Sequence, residues 1–284
     1  MTALLVGLAL LVAVGAAVRS TWSPCGLSML STITPLGERG RGRRFGVTAA
    51  WYVAGGILGG ITLGAVAAGL AEAVRVLEVP GGVRIGVAVG AALVAAASDG
   101  RLGGFSLPIH RRQVNELWLD RFRSWVYGLG FGWQIGTGYV TYIMTAALSL
   151  AVVLAALTGS PPAALAVGTV FGLVRGLAVL LGRGIVSPAA LTSFHRGFAA
   201  AGEPVRRALV GVELAVAVTA PLVGSLTGII PGPVGPVLAG GALLAGGGAL
   251  LGTALGGRRR GVGVIGTGGA PIRTLPRTPV RPPL

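Results

Sequence analysis

The feature that most constrains the fold is a series of seven apolar runs, which short polar segments separate. A helix crosses the hydrocarbon core of a bilayer, about 30 Å thick, with about 20 apolar residues. The chain is 53% hydrophobic and only 11% charged, whereas about a quarter of the residues of a soluble domain are charged. The runs therefore predict an all-α polytopic membrane protein with about seven transmembrane helices. We place them at residues 2–36, 46–70, 85–97, 128–157, 163–181, 208–230 and 237–255.

The arginines follow the same alternation. All 23 basic residues of the chain are arginines, and its net charge is +15. Segments 37–45, 101–127, 183–207 and 258–284 contain 19 of them, whereas the alternate connections, 75–84, 158–162 and 231–236, contain two. The positive-inside rule then predicts a multi-pass protein of the cell membrane, with an extracytoplasmic N-terminus and a cytoplasmic C-terminus. The lipid bilayer and its anionic headgroups are the expected partners of these arginines, and no nucleic acid is expected.

Two of the runs are longer than one span needs, and each is interrupted. The first contains Trp22-Ser23-Pro24-Cys25-Gly26, with the only cysteine of the chain and a proline that removes a backbone donor. The fourth is interrupted by Gln134, Gly136, Thr137 and Gly138. Irregular backbone at membrane depth is tolerated where protein or a water-filled cavity satisfies it. The sequence therefore predicts a functional site between two broken helices. The alternative is an ordinary proline kink beside a buried cysteine.

The broken helices occupy corresponding places in an arrangement of three plus three plus one spans. Inverted repeats with discontinuous helices are typical of transport folds, with the substrate site near the bilayer midplane. We place the transmembrane domain at residues 1–256, with repeat 1 at about 1–98, repeat 2 at about 128–230 and an extra helix at about 237–255. Residues 257–284 are basic and rich in proline and glycine, which predicts a disordered cytoplasmic tail.

A different pattern separates the two repeats. Arginines alternate in residues 101–127 with apolar side chains at helical spacing, namely Val114, Leu117, Trp118, Phe122 and Trp125. This spacing predicts an amphipathic helix at about 109–127 that lies in the membrane interface, and a partner-docking helix is the alternative.

Small residues recur at helical spacing in the second run. They are Gly55, Gly56, Gly59, Gly60 and Gly64. Because glycine lets helix backbones approach closely in a membrane, this spacing predicts close helix packing.

Ionisable and polar side chains inside the spans are the candidate site residues. Arg175 and Glu213 lie at similar depth in consecutive spans, which predicts a salt bridge; substrate or proton binding is the alternative. Arg19 precedes Cys25 by about one and a half helical turns, and it either stabilises a thiolate or extends to the interface. The predicted catalytic residue is Cys25. The predicted substrate-binding residues are Pro24, Cys25, Trp133, Gln134, Thr137, Thr141, Arg175 and Glu213.

The polar groups of the second broken helix, which include Tyr142, could bind a solute or an ion, or bond back to their own helix. The two histidines, His110 and His195, form no cluster with other metal-binding residues, so no metal site and no cofactor is predicted.

Ser23-Pro24-Cys25, followed by a stretch that contains Pro35, resembles the first-helix motif of the CcdA/DsbD family of thiol-electron carriers, within the LysE-type superfamily. Gly132-Trp133, with Gly138 and Gly159-Ser160 after it, is similar to the motif of the family's second half. The resemblance implies paired cysteines in two broken helices that carry electrons as a disulfide. Here only Cys25 is present, because Gly136 stands at the second cysteine's position and Ile135 replaces the proline.

Three functions from different classes follow. The first, which we expect, is transport of a small solute or ion through a site between the broken helices. The second is a thiol-disulfide electron carrier of the cytochrome c biogenesis type, which is the only enzymatic alternative. A disulfide needs two sulfurs, so Cys25 would have to react with a thioredoxin-like partner or with a second subunit in a homodimer. The third is a non-catalytic membrane scaffold.

Overall fold

A computed structural model of the chain describes residues 2–107, 118–229 and 233–244, and the regular elements over these residues are all helical. The helices are α1 Thr2–Ser20, α2 Pro24–Thr32, α3 Pro35–Gly40, α4 Phe45–Val76, α5 Gly81–Gly100, α6 Trp118–Arg121, α7 Ser124–Thr137, α8 Ala147–Leu157, α9 Pro161–Leu177, α10 Pro188–Leu226 and α11 Val234–Leu244. Short 3₁₀ helices follow α5 at Leu102–Gly104 and α9 at Ala178–Gly184.

Five of the described helices are long and apolar enough to cross a membrane. They are α1, α4, α5, α10, and α9 together with its 3₁₀ extension. The predicted class, a helical multi-pass membrane protein, is confirmed by this arrangement. The count of seven spans and the inverted repeat stay predictions, and part of the predicted seventh span, with the tail 257–284, lies outside the described residues.

The first and fourth runs differ in where they break. α1 alone has 19 residues and spans about 28 Å, so its break at residues 21–23 lies at the end of a complete crossing rather than inside one. α7 and α8 have 14 and 11 residues, so neither crosses alone, and the irregular residues 138–146 join them. The fourth break therefore lies two residues or more beyond Gly136, which is helical.

Two of the polar segments contain helical residues. The basic segment 183–207 is largely helical, because Ser187 accepts a hydrogen bond from the Ala190 amide (3.2 Å) and Pro188 begins a helix of 39 residues. The predicted interfacial helix lies partly outside the described residues, and its described part is not continuous. α6 ends at Arg121, and Trp125 belongs to α7, where it packs against Trp51 with ring centroids 6.2 Å apart.

Glycines bring α4 into close contact with α7 on one side and α9 on the other. Gly59 faces the backbone of α7, and a Cβ added there would lie 2.6 Å from the Thr137 amide nitrogen. Gly60 faces α9, where the same addition would lie 2.8 Å from Gly172 Cα. No side chain fits between these backbones. The predicted role of the glycines in close packing is confirmed.

The remaining helices surround this central set. α1 buries alanines and Val12 against α8, α9 and α10, while α10 packs along α5. α3 contributes an unexpected buried acid from the arginine-rich segment 37–45. Glu38 is fully buried and accepts hydrogen bonds from Thr48 (2.5 Å), Tyr127 (2.7 Å) and Arg41 (3.1 Å). These bonds tie α3 to the first turns of α4 and α7.

Candidate functional site

The first break is a helix end followed at once by a new helix. Ser23 has extended backbone angles, and its hydroxyl accepts a hydrogen bond from the Gly26 amide at 3.1 Å, which caps α2 while Pro24 occupies the first turn. Trp22 anchors the break to α10. Its indole donates to the Phe198 carbonyl at 2.7 Å, and the two rings stack with centroids 4.4 Å apart. The backbone of this break is thus satisfied by the protein itself.

The second break is held by a carboxylate from another helix. Gly138, with a φ of +76°, ends α7. Asp99, near the end of α5, accepts hydrogen bonds from the Thr145 hydroxyl and from the Ala146 amide (2.8 Å). Both carboxylate oxygens therefore accept hydrogen bonds at the start of α8. Asp99 caps α8 although it belongs to another helix, α5.

A cavity of about 330 Å³ lies between the end of α1 and the second break. Its volume is at the lower end of the about 300–1,000 Å³ typical of small-molecule sites. Arginine, hydroxyl and apolar groups line it, and the polar ones include Arg19, Asp99, Tyr139, Tyr142, Thr145 and Arg206. The cavity therefore lies at the second break, and Arg19 at the end of α1 completes its wall together with residues of α5 and α10.

The cavity lining has more positive than negative charge. Arg19, Arg101 and Arg206 line it together with a single carboxylate, Asp99. Arg206 donates to the Asp99 backbone carbonyl (2.7 Å) and forms an ion pair with Glu203 (2.7 Å). Among the described residues, neither Arg19 nor Arg101 forms an ion pair, although Arg19 is only 7% exposed. The site thus contains a buried guanidinium that faces the cavity.

Two of the polar residues predicted for the second broken helix lie at its break. Tyr142 lines the cavity. Thr141 is 1% exposed, and its hydroxyl has no hydrogen-bond partner among the described residues.

The other three lie within α7 and do not line the cavity. Trp133 is 39% exposed and donates to the Thr62 hydroxyl at 3.1 Å, and Gln134 is half-buried beside it. Thr137 bonds back to the Trp133 carbonyl at 2.8 Å, the alternative that the sequence left open.

Cys25 lies in a second, apolar cluster. It is 2% exposed and packs among residues that include Met29 and Tyr52, while Pro24 is exposed at the start of α2. Arg175, also 2% exposed, lies within electrostatic range of Cys25 and Tyr52. Of the two roles that the sequence left open for Arg19, stabilisation of a Cys25 thiolate has no support here, because Arg19 lines the cavity and the charges that act on it include Asp99 and Glu203.

The predicted salt bridge between Arg175 and Glu213 is also wrong. Glu213 is fully buried, and neither of its oxygens has a hydrogen-bond partner among the described residues. The ionisable side chain that interacts with Glu213 is Asp99 on α5, whereas Arg175 faces α2 and α4. The two side chains thus have different neighbours.

Asp99 and Arg206 are site residues that the sequence did not reveal. Asp99 follows the third apolar run directly, and Arg206 lies in a segment whose arginines were assigned to topology. The signal in the sequence for Asp99 was an acidic residue at the end of a predicted span. Within the described part of the chain, no three His, Cys, Asp or Glu side chains form a group that could hold a metal ion.

The relatives of this chain carry one name. The chain is 34% identical over 180 residues to the methylamine utilization protein MauF of Methylophilus methylotrophus, a match that covers 62% of each protein. MauF of Methylobacillus flagellatus is 31% identical over 183 residues, 63% of each protein. MauF of Paracoccus denitrificans is 34% identical over 181 residues, which are 59% of this chain and 60% of the relative. The chain thus spans less than two thirds of the length of the relatives it matches.

No family model matches the sequence, and no solved structure matches it. The MauF relatives overturn the resemblance to the CcdA/DsbD family. The structure supplies a physical reason for the error. Ser23 and Pro24 are a common helix start, a cap followed by proline in the first turn, and Gly136 lies inside α7 rather than in the second break.

Proposed function

We propose that this protein transports a small solute across the membrane through the cavity between the end of α1 and the α7–α8 break. The observation that carries the proposal is the cavity itself, about 330 Å³ in volume, at a break in a helix that is otherwise apolar. Discontinuous helices that meet at a polar cavity are the usual construction of a transport site, because the broken backbone and its flanking side chains replace the hydration of a solute.

The orientation of the cavity follows from the arginines. Arg101 and Arg206 belong to the arginine-rich segments 101–127 and 183–207, which the positive-inside rule assigns to the cytoplasm. On that assignment, the chain lies in the cell membrane and the cavity is the cytoplasmic half of the solute path. The relatives are named for methylamine utilization, and we propose that the solute belongs to the same process.

Uptake into liposomes tests the proposal. The full chain is reconstituted, and uptake of labelled acetate, phosphate, methylammonium and glycerol is measured. Ser149→Leu fills the cavity beside Tyr139, whose hydroxyl donates to Ser149 at 2.9 Å, and we expect it to abolish the uptake that the unaltered protein supports. Thr219→Leu is the matched control, because that hydroxyl bonds back to its own helix outside the cavity.

The proposal predicts protein-dependent uptake of at least one of these solutes, lost in Ser149→Leu and kept in Thr219→Leu. If both variants retain uptake, the solute path does not pass through the cavity. Uptake no greater than that of protein-free liposomes would refute the transport function and favour a scaffold.

A second candidate is thiol exchange at Cys25, and the position of Arg175 favours it. A neighbouring guanidinium stabilises a thiolate, which is the nucleophilic form. Cys25 is the only cysteine of the chain, so a disulfide would need a sulfur from another protein. Labelling of Cys25 by a membrane-permeant maleimide should then slow at least tenfold in Arg175→Gln and stay unchanged in Arg19→Gln. Equal rates in all three proteins would remove this candidate.

A further inference from the structure

We infer that the cavity binds a small carboxylate anion, with Arg19 as its principal ligand, and that it rejects methylammonium and other cations. The inference rests on the proposed solute site and names the class of solute. It is drawn from the charges, the helix end and the apolar groups that surround the cavity.

The first observation is a buried guanidinium that forms no ion pair among the described residues. Arg19 is 7% exposed and lines the cavity. Asp99, the carboxylate that lines the same cavity, has both oxygens engaged by Thr145 and by the Ala146 amide. Among the described residues, no carboxylate oxygen lies within ion-pair distance of Arg19. A buried guanidinium is ordinarily paired, and a bidentate carboxylate is its best geometric match.

The second observation is the orientation of α8. Its first turn, which contains Ser149, lies at the cavity wall. The N-terminus of a helix carries a partial positive charge and favours anions. The Thr145 hydroxyl, which accepts from the Ala147 amide at 3.2 Å, and the Asp99 carboxylate already cap this end. The charge of Asp99 offsets the partial charge of the helix end, so Arg19 is the principal attraction for an anion.

The third observation concerns size and polarity. The hydroxyl groups of Tyr139, Tyr142 and Thr145 line the cavity, and those of Tyr139 and Thr145 are already bonded to Ser149 and Asp99. Ile143 and Met144 give the same wall an apolar part. A cavity of about 330 Å³ accommodates a short organic anion with some water. This combination suits a carboxylate with a small apolar group better than it suits inorganic phosphate.

Cations are disfavoured by the same arrangement. Three arginines and one carboxylate line the cavity, and the carboxylate is already engaged. Methylammonium would meet guanidinium groups, and the one carboxylate of the lining is already bonded to Thr145 and Ala146. The solute is therefore expected to be chemically distinct from the amine in the relatives' name.

Ligand-dependent thermal stability tests the inference. The full chain, purified in an uncharged detergent, is heated with sodium acetate, sodium phosphate or methylammonium chloride, each at the same ionic strength as a sodium chloride reference. We expect acetate to raise the melting temperature in a saturable way and methylammonium to have no effect, since a ligand that binds the folded state stabilises it by mass action.

Two arginine variants identify the ligand group. Arg19→Gln should weaken apparent acetate affinity tenfold or more, the range expected for a lost charge-assisted hydrogen bond. Arg75→Gln is the matched control, because Arg75 is 63% exposed, pairs with Glu72 and lies outside the cavity; its acetate affinity should stay within about twofold. Arg19→Lys keeps the charge and tests the guanidinium geometry if Arg19→Gln fails to fold, and it should bind acetate more weakly than the unaltered protein.

The outcomes separate this inference from the proposed function. Saturable stabilisation or uptake of methylammonium instead of acetate would overturn the anion assignment and leave the transport site standing. Stabilisation by phosphate alone, or only by added phosphatidylglycerol, would identify an inorganic anion or a lipid headgroup and would also overturn the carboxylate. If no solute stabilises the protein and none is taken up, the transport function fails together with the inference.

Discussion

Replacing Gly59 with alanine is expected to push α7 away from α4 and so to move the second break. Gly59 lies midway along α4, opposite the end of α7. An added Cβ would lie 2.6 Å from the Thr137 amide nitrogen, 2.8 Å from the Gly136 carbonyl carbon and closer still to the Trp133 carbonyl oxygen. All three are backbone atoms, so no side chain can rotate away. Restoring an ordinary contact of 3.4 Å to the amide alone requires a shift of about 0.8 Å, and the nearer Trp133 carbonyl oxygen requires more.

The size of the effect follows from two opposing contributions. Overpacking costs about 1–3 kcal/mol, and the upper end applies here because the helix must move as a unit. A gap of 0.5–1 Å forfeits about a quarter to a half of the attraction between the neighbouring atoms. Alanine is better than glycine in a helix by about 1 kcal/mol. The net loss is about 2 kcal/mol, which lowers the melting temperature by roughly 4–8 °C in a chain of this size.

Thermal unfolding of the full chain in detergent, followed by circular dichroism, measures the shift. Gly69→Ala is the matched control, because it lies on the same helix and a Cβ there meets no described atom within 4 Å. That variant should melt about 2–4 °C higher, since only the gain in helix propensity remains. If Gly59→Ala melts at or above the temperature of the unaltered protein, α4 and α7 do not approach as closely as described.

Three further changes test side chains outside the glycine contact. Tyr127→Phe removes a donor to the buried Glu38 carboxylate and should lower the free energy of unfolding by about 1.5–3 kcal/mol in denaturant titrations; no loss would mean that this donor is dispensable. Arg175→Gln and Glu213→Gln should be additive within about 0.5 kcal/mol in the same titrations, and a larger coupling would restore the predicted salt bridge. Asp99→Ala should cost about 1 kcal/mol of thermal stability, because the Ala146 amide at the start of α8 and the Thr145 hydroxyl lose their acceptor, and an unchanged melting temperature would refute that role.

The helical membrane class, the glycine contacts and both interruptions could be predicted from the sequence, because each depends on local pattern. Apolar length identifies a span, glycine spacing identifies a contact, and proline or glycine identifies a helix end. The same local signals gave the first break, where Ser23 and Pro24 start α2. The same signals occur at Ser187 and Pro188, which begin a helix within the arginine-containing residues 183–207.

The partners of charged residues could not be predicted, because they depend on how helices rotate against each other. Arg175 and Glu213 were predicted at similar depth, yet one faces Cys25 and the other faces Asp99. The acceptor role of Asp99 could not be predicted for the same reason, because Asp99 lies 46 positions before Thr145 in the sequence. Hydropathy gives the depth of a residue but not the side of the helix that it faces within the bundle.

The two breaks suggest why Arg19 belongs to function rather than to folding. The first break is satisfied by Ser23 and by the Trp22 contact with Phe198, and the second by Asp99. Neither break uses the Arg19 guanidinium, so the irregular backbone would remain satisfied without it. Burying an unpaired charge is costly, and a structural role would have been served as well by an apolar side chain. A buried cation that no part of the described fold requires is most simply explained by an anion that arrives from solution, and the acetate titration of Arg19→Gln tests that explanation directly.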